Sequence, residues 1–142
     1  MLDEFAIDES LVPIGSAADI VTARQQGRAL ASRLGFSASE LTIIATAISE
    51  VARNIVEYAG RGEIRLRVLQ QGHQLGLSVV ALDSGPGILD VERALQDGYS
   101  TSKGLGLGLP GARRLMDEFE LVSEIGRVTT VTMRKWVNSR YL

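Results

Sequence analysis

From Ser37 to Gly60 the apolar positions fall at helical spacing. Ile44, Ile48, Val51, Ile55 and Tyr58 recur every three or four residues and predict one buried stripe on a long helix. "SASE" at 37–40 opens that helix as a capping box, with Ser37 and Glu40 three residues apart, and Gly60 closes it. An earlier helix runs from an N-cap at Ser16, with Asp19 in its first turn, to about Leu34, where Gly35 is the natural stop. "LPGARRLMDEF", 109–119, reads as a third helix with Pro110 in its first turn.

Other segments carry the two-residue period of strands. "EIRLRVL" (63–69) alternates polar and apolar residues and predicts a strand with one solvated face. "LGLSVVALD" (75–83) is more continuously apolar and belongs deeper in the sheet, and "QQGHQ" between the two suggests a hairpin turn. "SLVPI" (10–14) is an opening strand in which Pro13 marks an edge or an end, while "LVSEI" and "VTTVTMRKW" close the chain as strands. Residues 84–103 are irregular, with one short helix around Val91–Leu95; Tyr58 and Trp136 are expected in the core. This order implies an α/β (α+β) two-layer sandwich, a mixed β-sheet with helices on one face, and argues against a Rossmann alternation.

Composition narrows the function classes. The 142 residues hold no repeat or linker and are expected to form one domain spanning 1–142. A net charge of -2 leaves no broad basic field for nucleic acid or an anionic membrane. No apolar run approaches the roughly 18–20 residues that cross a bilayer. The absence of cysteine excludes disulfides and thiolate metal sites. The acidic start "MLDEFAIDES" lacks the order of a signal peptide, and the expected location is cytoplasmic.

Three constellations carry chemistry. In "DSGPG" (83–87), Asp83 can accept hydrogen bonds from a ligand amine, and Gly85 and Gly87 allow backbone conformations a side chain would forbid; the same residues also make a good β-turn. "STSKGLGLGLPG" (100–111) sets Gly104, Gly106 and Gly108 at alternate positions before the Pro110 helix, a source of free amides at a helix N-terminus that suits polyphosphate. Ser100, Thr101 and Ser102 add hydroxyls and Lys103 a positive charge. The spacing fits neither a Walker A loop nor the dinucleotide fingerprint. Within the long helix, Glu50 and Asn54 stand one turn apart on a strip separate from the core stripe. An unpartnered buried glutamate is costly, so this strip should face a polar cavity or solvent. Asn54 offers an oxygen to Mg²⁺, and Glu50 can serve as base on a hydroxyl or water. Arg53, Glu57, Arg113 and Arg114 could touch ligand or partner, but solvated helix faces are the favoured reading for each, and His73 reads as part of a solvated turn.

"SEVARN", "DSGPG" and "GLGLGL" together resemble the N, G1 and G2 boxes of the ATP-binding superfamily that joins gyrase, Hsp90, histidine kinases and MutL. The resemblance spans about Ile14 to Trp136 and implies the Bergerat fold. It makes Glu50 the catalytic carboxylate, Asn54 the magnesium ligand and Asp83 the adenine reader with Gly85 and Gly87. The triphosphate then falls to Ser102, Lys103, Gly104, Leu105, Gly106, Leu107 and Gly108, the 84–103 segment is a lid, and Thr129 is a hydroxyl near adenine. Val128 stands where the family tends to have glycine, and "VNSRYL" has no obvious counterpart. A histidine kinase would need a phospho-acceptor histidine on a dimerisation helix, and gyrase, Hsp90 and MutL need further domains. The stand-alone serine/threonine kinase branch remains, and the long stretch "DGYSTSKGLGLGLPGARRLMDEF" is most similar to the switch kinases of the stressosome. That branch implies Mg²⁺ and ATP, a STAS-domain protein as substrate and a PP2C-type phosphatase downstream. The alternatives are an anti-sigma factor that sequesters a sigma factor, and an ATP sensor without turnover, against which intact Glu50 and Asn54 argue.

Overall fold

Two helices lie between the first strand and the second, and this sets the direction of the sheet. The computed structural model describes residues 4–83, 85, 108–123 and 128–138. The chain runs through β1 (Glu4–Ile14), α1 (Ala17–Leu34), α2 (Ala38–Tyr58), β2 (Gly62–Gln71), β3 (Gln74–Asp83), α3 (Gly108–Leu115), β4 (Glu118–Ser123) and β5 (Thr129–Trp136). One helix would carry the chain back to start a parallel strand, whereas two return it antiparallel, as β2 is to β1. The sheet order is β1-β2-β3-β5-β4, and each of its pairings is antiparallel. The mixed sheet expected from the sequence is corrected on this point. β3 and β4 do run the same way across α3, but β5 slots between them, so no parallel pair is adjacent.

The two-layer sandwich is as expected. Ile64, Leu66 and Val68 of β2, Leu77, Val79 and Ala81 of β3, and Val131 and Met133 of β5 form one face of the sheet. They share a core with Ala23 and Leu30 of α1, with Ile44, Ile48, Val51 and Ile55 of α2, and with Leu109 and Ala112 of α3. The other face carries ion pairs, Arg65 to Glu63 at 2.7 Å and Arg134 to Glu118 at 3.3 Å, which is the polar half of the alternation. Pro13 lies on β1, an edge strand, where the missing amide proton breaks no ladder.

Local chemistry fixes the helix ends. Ser37 Oγ accepts the Glu40 amide at 3.2 Å and Glu40 Oε1 accepts the Ser37 amide at 2.9 Å, completing the capping box. Phe36 and Leu41, both buried, occupy the two positions of a hydrophobic staple around it. Gly35 ends α1 with φ 95°. The cap of α1 differs from expectation: Ser16 makes no side-chain cap bond. Asp19 reaches back instead, and its Oδ2 accepts the Gly15 amide at 2.8 Å and the Ser16 hydroxyl at 3.1 Å, so the stronger acceptor takes both donors.

Three further expectations are corrected. Tyr58 is 45% exposed, because it sits at the margin of the α2 stripe and in the last turn. The third helix stops at Leu115, short of Phe119, since the Asp117 amide donates to the Arg134 carbonyl at 3.0 Å and its Oδ2 accepts the Trp136 amide at 2.8 Å, drawing the chain onto β5. Trp136 is half-buried at the sheet end, its indole N–H donating to Glu118 Oε2 at 2.6 Å and its ring lying over Gly76, where a Cβ would strike it. The 84–103 lid and the helix around Val91–Leu95 lie outside the described residues, apart from Gly85.

Candidate active site

Helix α2 carries the site along one side. Glu50 is only 7% exposed, and both of its carboxylate oxygens have partners. Oε1 accepts from Arg53 Nη1 at 2.9 Å, and Oε2 accepts the Gly108 amide at 2.8 Å. The first partner lies one turn along the same helix, and the second is the first residue of α3, 58 positions away in the chain. Gly108 has φ 65°, a left-handed conformation in which glycine alone is unstrained, so its amide turns towards Glu50 at little conformational cost. The expectation that Glu50 faces a polar environment therefore takes a particular form: a buried carboxylate satisfied by one guanidinium and one helix-terminal amide.

On the α1 side of Glu50 lies a groove of about 680 Å³, lined by Arg24, Arg28, Arg53, Thr46, Ser49 and Glu50 among others. The two helices pack closely on their core side, because a Cβ at Gly27 of α1 would run into Ile48 of α2. Thr46 and Ser49 each donate to the carbonyl four residues back, at 2.9 Å in both cases, which leaves hydroxyl lone pairs and arginine cations as the groove's polar surface.

The other end of α2 meets the end of β3. Asp83 is half-buried, and its Oδ1 accepts the Gly85 amide at 3.0 Å. Burial pushes its carboxyl above the ordinary value of 3.8, a rise that the Gly85 amide partly offsets. Its ladder partners are Gly62 on β2 and Thr129 on β5. Thr129 is 3% exposed and shares a hydrogen bond of 2.7 Å with Ser123. A Cβ at Gly62 would collide with the Leu82 carbonyl and Ile55, and one at Gly85 would press on Ala59 of the α2 end. The chain thus packs tightly at Gly62 and Gly85, beside Asp83. Glu50 and Ala59 lie nine residues apart, roughly 13 Å along the helix axis at 1.5 Å per residue.

Of the residues singled out by sequence, Glu50, Asn54, Asp83, Gly85, Gly108 and Thr129 are described and line α2, the end of β3, the start of α3 and the start of β5. Gly87, Ser102, Lys103, Gly104, Leu105, Gly106 and Leu107 lie outside the described residues. Two contributors went unread: Arg53, taken for a solvated residue and here bonded to Glu50, and Gly62, whose place before a strand was its only signal. The expected Mg²⁺ and ATP fit these donors. Among the described residues no cluster of three His, Cys, Asp or Glu could hold a metal alone. A divalent ion at half-buried Asn54 would thus share phosphate and water oxygens, the set Mg²⁺ prefers. Asp83, with one hydrogen bond among the described residues and Gly62 and Gly85 beside it, suits the amine of a base.

An antiparallel sheet with, among the described residues, three helices on one face is the architecture of a histidine kinase-like ATPase domain. Residues 15–135 match that family, and the chain belongs to it. It is a serine/threonine protein kinase, 49% identical over 130 residues to the serine/threonine-protein kinase RsbT of Bacillus subtilis (strain 168), covering 92% of this chain and 98% of that one. It is also 31% identical over 123 residues to the anti-sigma F factor of Thermoanaerobacter sp. (strain X514), covering 82% and 85% respectively. Among solved structures it is similar in fold to the RsbU and RsbW domains of Rv1364c from Mycobacterium tuberculosis. The TM-score there is 0.61 at 21% identity, over 95% of this chain and 34% of that chain. No helix among the described residues is long and apolar enough to cross a membrane.

Proposed function

We propose that this kinase uses Mg²⁺ and ATP to phosphorylate a serine or threonine of a STAS-domain protein in a partner-switching stress pathway, acting in the cytoplasm and, once released, on a PP2C-type phosphatase. The observation that carries the reading is the buried Glu50 carboxylate, held between a cationic groove and the N-terminus of α3. Bound ATP with Mg²⁺ supplies the phosphoryl group to be transferred. Asp83 accepts the amine of adenine and fixes the base, with Gly85, Gly87 and Thr129 as further contacts to it. The α3 N-terminus with Ser102 to Gly108 binds phosphate oxygens through backbone amides at a helix end that favours anions. Asn54 would hold the metal ion, which would neutralise phosphate charge. Glu50 takes the proton released as the acceptor oxygen bonds to the γ-phosphorus and the bond to the departing ADP breaks. The groove lined by Arg24, Arg28 and Arg53 gives the acceptor segment a route to Glu50 and favours acidic neighbours to its hydroxyl.

The test is transfer from γ-labelled ATP to a purified STAS-domain protein. Wild type should place label on a serine or threonine, and Glu50→Gln should lower the rate about 10²–10⁴-fold with ATP binding retained. Full transfer by Glu50→Gln would remove Glu50 from the mechanism. A second reading, sequestration of a sigma factor, is favoured by the likeness to an anti-sigma F factor, and co-purification with a sigma factor would support it.

A further inference from the structure

Glu50 has two described partners, and the reaction proposed above leaves it only one. Gly108 is the first residue of α3, where unsatisfied amides gather and anions are favoured. That amide has a single proton, and here it goes to Glu50 Oε2 at 2.8 Å. Phosphate oxygens at the same helix end must compete with the carboxylate for it. Arg53 stands on different ground. It is three residues along α2 from Glu50, so its hold on Oε1 is set by the geometry of one helix and does not depend on where α3 sits. Its guanidinium is 34% exposed at the edge of the groove, and its five donors leave several N–H groups beyond the one given to Glu50. If Gly108 alone held the carboxylate, binding phosphate there would leave a buried anion with no partner, a strongly unfavourable state that would drive the side chain out of position.

We infer that Arg53 is the positioning residue of phosphoryl transfer: it grips Oε1 of Glu50 so that Oε2, once the Gly108 amide turns to phosphate, stays aimed at the acceptor hydroxyl. Arg53 does not touch the reacting atoms; it acts through Glu50. The inference rests on Glu50 being the base, and it assigns work to a residue whose sequence setting, a charged position on a helix, reads as solvated surface. In the free protein the Gly108 amide still holds Oε2 when Arg53 is removed, so the arginine's contribution should show in turnover far more than in folding.

The experiment compares wild type, Arg53→Ala, Arg53→Lys and Glu50→Gln. It measures kcat and KM for ATP with saturating STAS-domain acceptor, together with nucleotide affinity and melting temperature. Arg53→Ala should lose about 10–100-fold in kcat, the scale of a misplaced catalytic group. Its KM for ATP, nucleotide affinity and melting temperature should stay near wild type. Arg53→Lys, which keeps a cation within reach of Oε1, should recover most of the rate. A wild-type kcat in Arg53→Ala overturns the inference. So does a rise in KM with kcat intact, which would make Arg53 a nucleotide contact, or a large fall in melting temperature, which would make it structural. A lysine variant as slow as the alanine one also overturns it. Should Glu50→Gln transfer at the wild-type rate, the reading of Glu50 as base fails; should Glu50→Gln be inactive and Arg53→Ala normal, only the role of Arg53 fails.

Discussion

The two carboxylates of the site are both shielded from water, but they are treated in opposite ways. Glu50 is nearly buried, and each of its oxygens has a nitrogen donor within 2.9 Å. Asp83 is half-buried, takes one described hydrogen bond, from the Gly85 amide, and has its carboxyl raised above the ordinary value by desolvation. A buried charge that is fully paired is held in place by the protein itself. One that is short of donors is stabilised by a ligand that brings them. Under the proposed function the difference separates a group that does chemistry, Glu50 on α2, from a group that binds, Asp83 at the end of β3.

Substitutions can break this contrast, beginning with the largest effect. Glu50→Gln should lower phosphoryl transfer by about 10²–10⁴-fold and leave nucleotide affinity close to wild type, measured by steady-state kinetics beside titration. Asp83→Asn should do the reverse, weakening nucleotide binding by about 10–100-fold through loss of a charged acceptor, while the free protein melts no lower than wild type.

The raised carboxyl of Asp83 also gives a signed pH dependence. Folded Asp83 holds its proton to higher pH than the unfolded chain, so its ionised form weakens the fold above the raised value, and that penalty fades as pH falls through it towards 3.8. The melting-temperature difference between Asp83→Asn and wild type should therefore shrink on acidification. Nucleotide affinity should fall over the same range, because a protonated carboxyl accepts less well. A difference that grows towards acid pH would mean the carboxylate is stabilised and not desolvated.

Smaller effects test the scaffold. Gly62→Ala forces a Cβ against the Leu82 carbonyl and Ile55 beside Asp83, and should cost about 1–3 kcal/mol in chemical denaturation, with weaker nucleotide binding than its stability loss alone explains. Ser37→Ala removes one half of the capping box far from Asp83, and should cost about 1 kcal/mol with nucleotide affinity unchanged.

Much of this was legible in the chain because it is local. The capping box, the Gly35 stop, the α2 stripe and the alternation of β2 each depend on residues within one or two turns. What escaped depends on distant partners. The antiparallel sheet follows from β5 entering between β3 and β4, a pairing no window reveals. α3 ends early because Asp117 finds Arg134 and Trp136. At the site, the Glu50–Asn54 strip was readable from its odd polarity inside an apolar helix. The tie from Glu50 to Gly108 needs the fold that brings together two positions 58 apart in the chain. Arg53 could have been suspected from its spacing to Glu50, since a buried acid one turn from an arginine seldom goes unpaired.

The most direct test of the division between the two carboxylates is calorimetric titration of Mg-ATP into wild type, Glu50→Gln and Asp83→Asn under identical conditions. The account predicts that Glu50→Gln binds as wild type does and that Asp83→Asn binds far more weakly. Tight binding by Asp83→Asn, or loss of binding by Glu50→Gln in a protein that still melts like wild type, would contradict it.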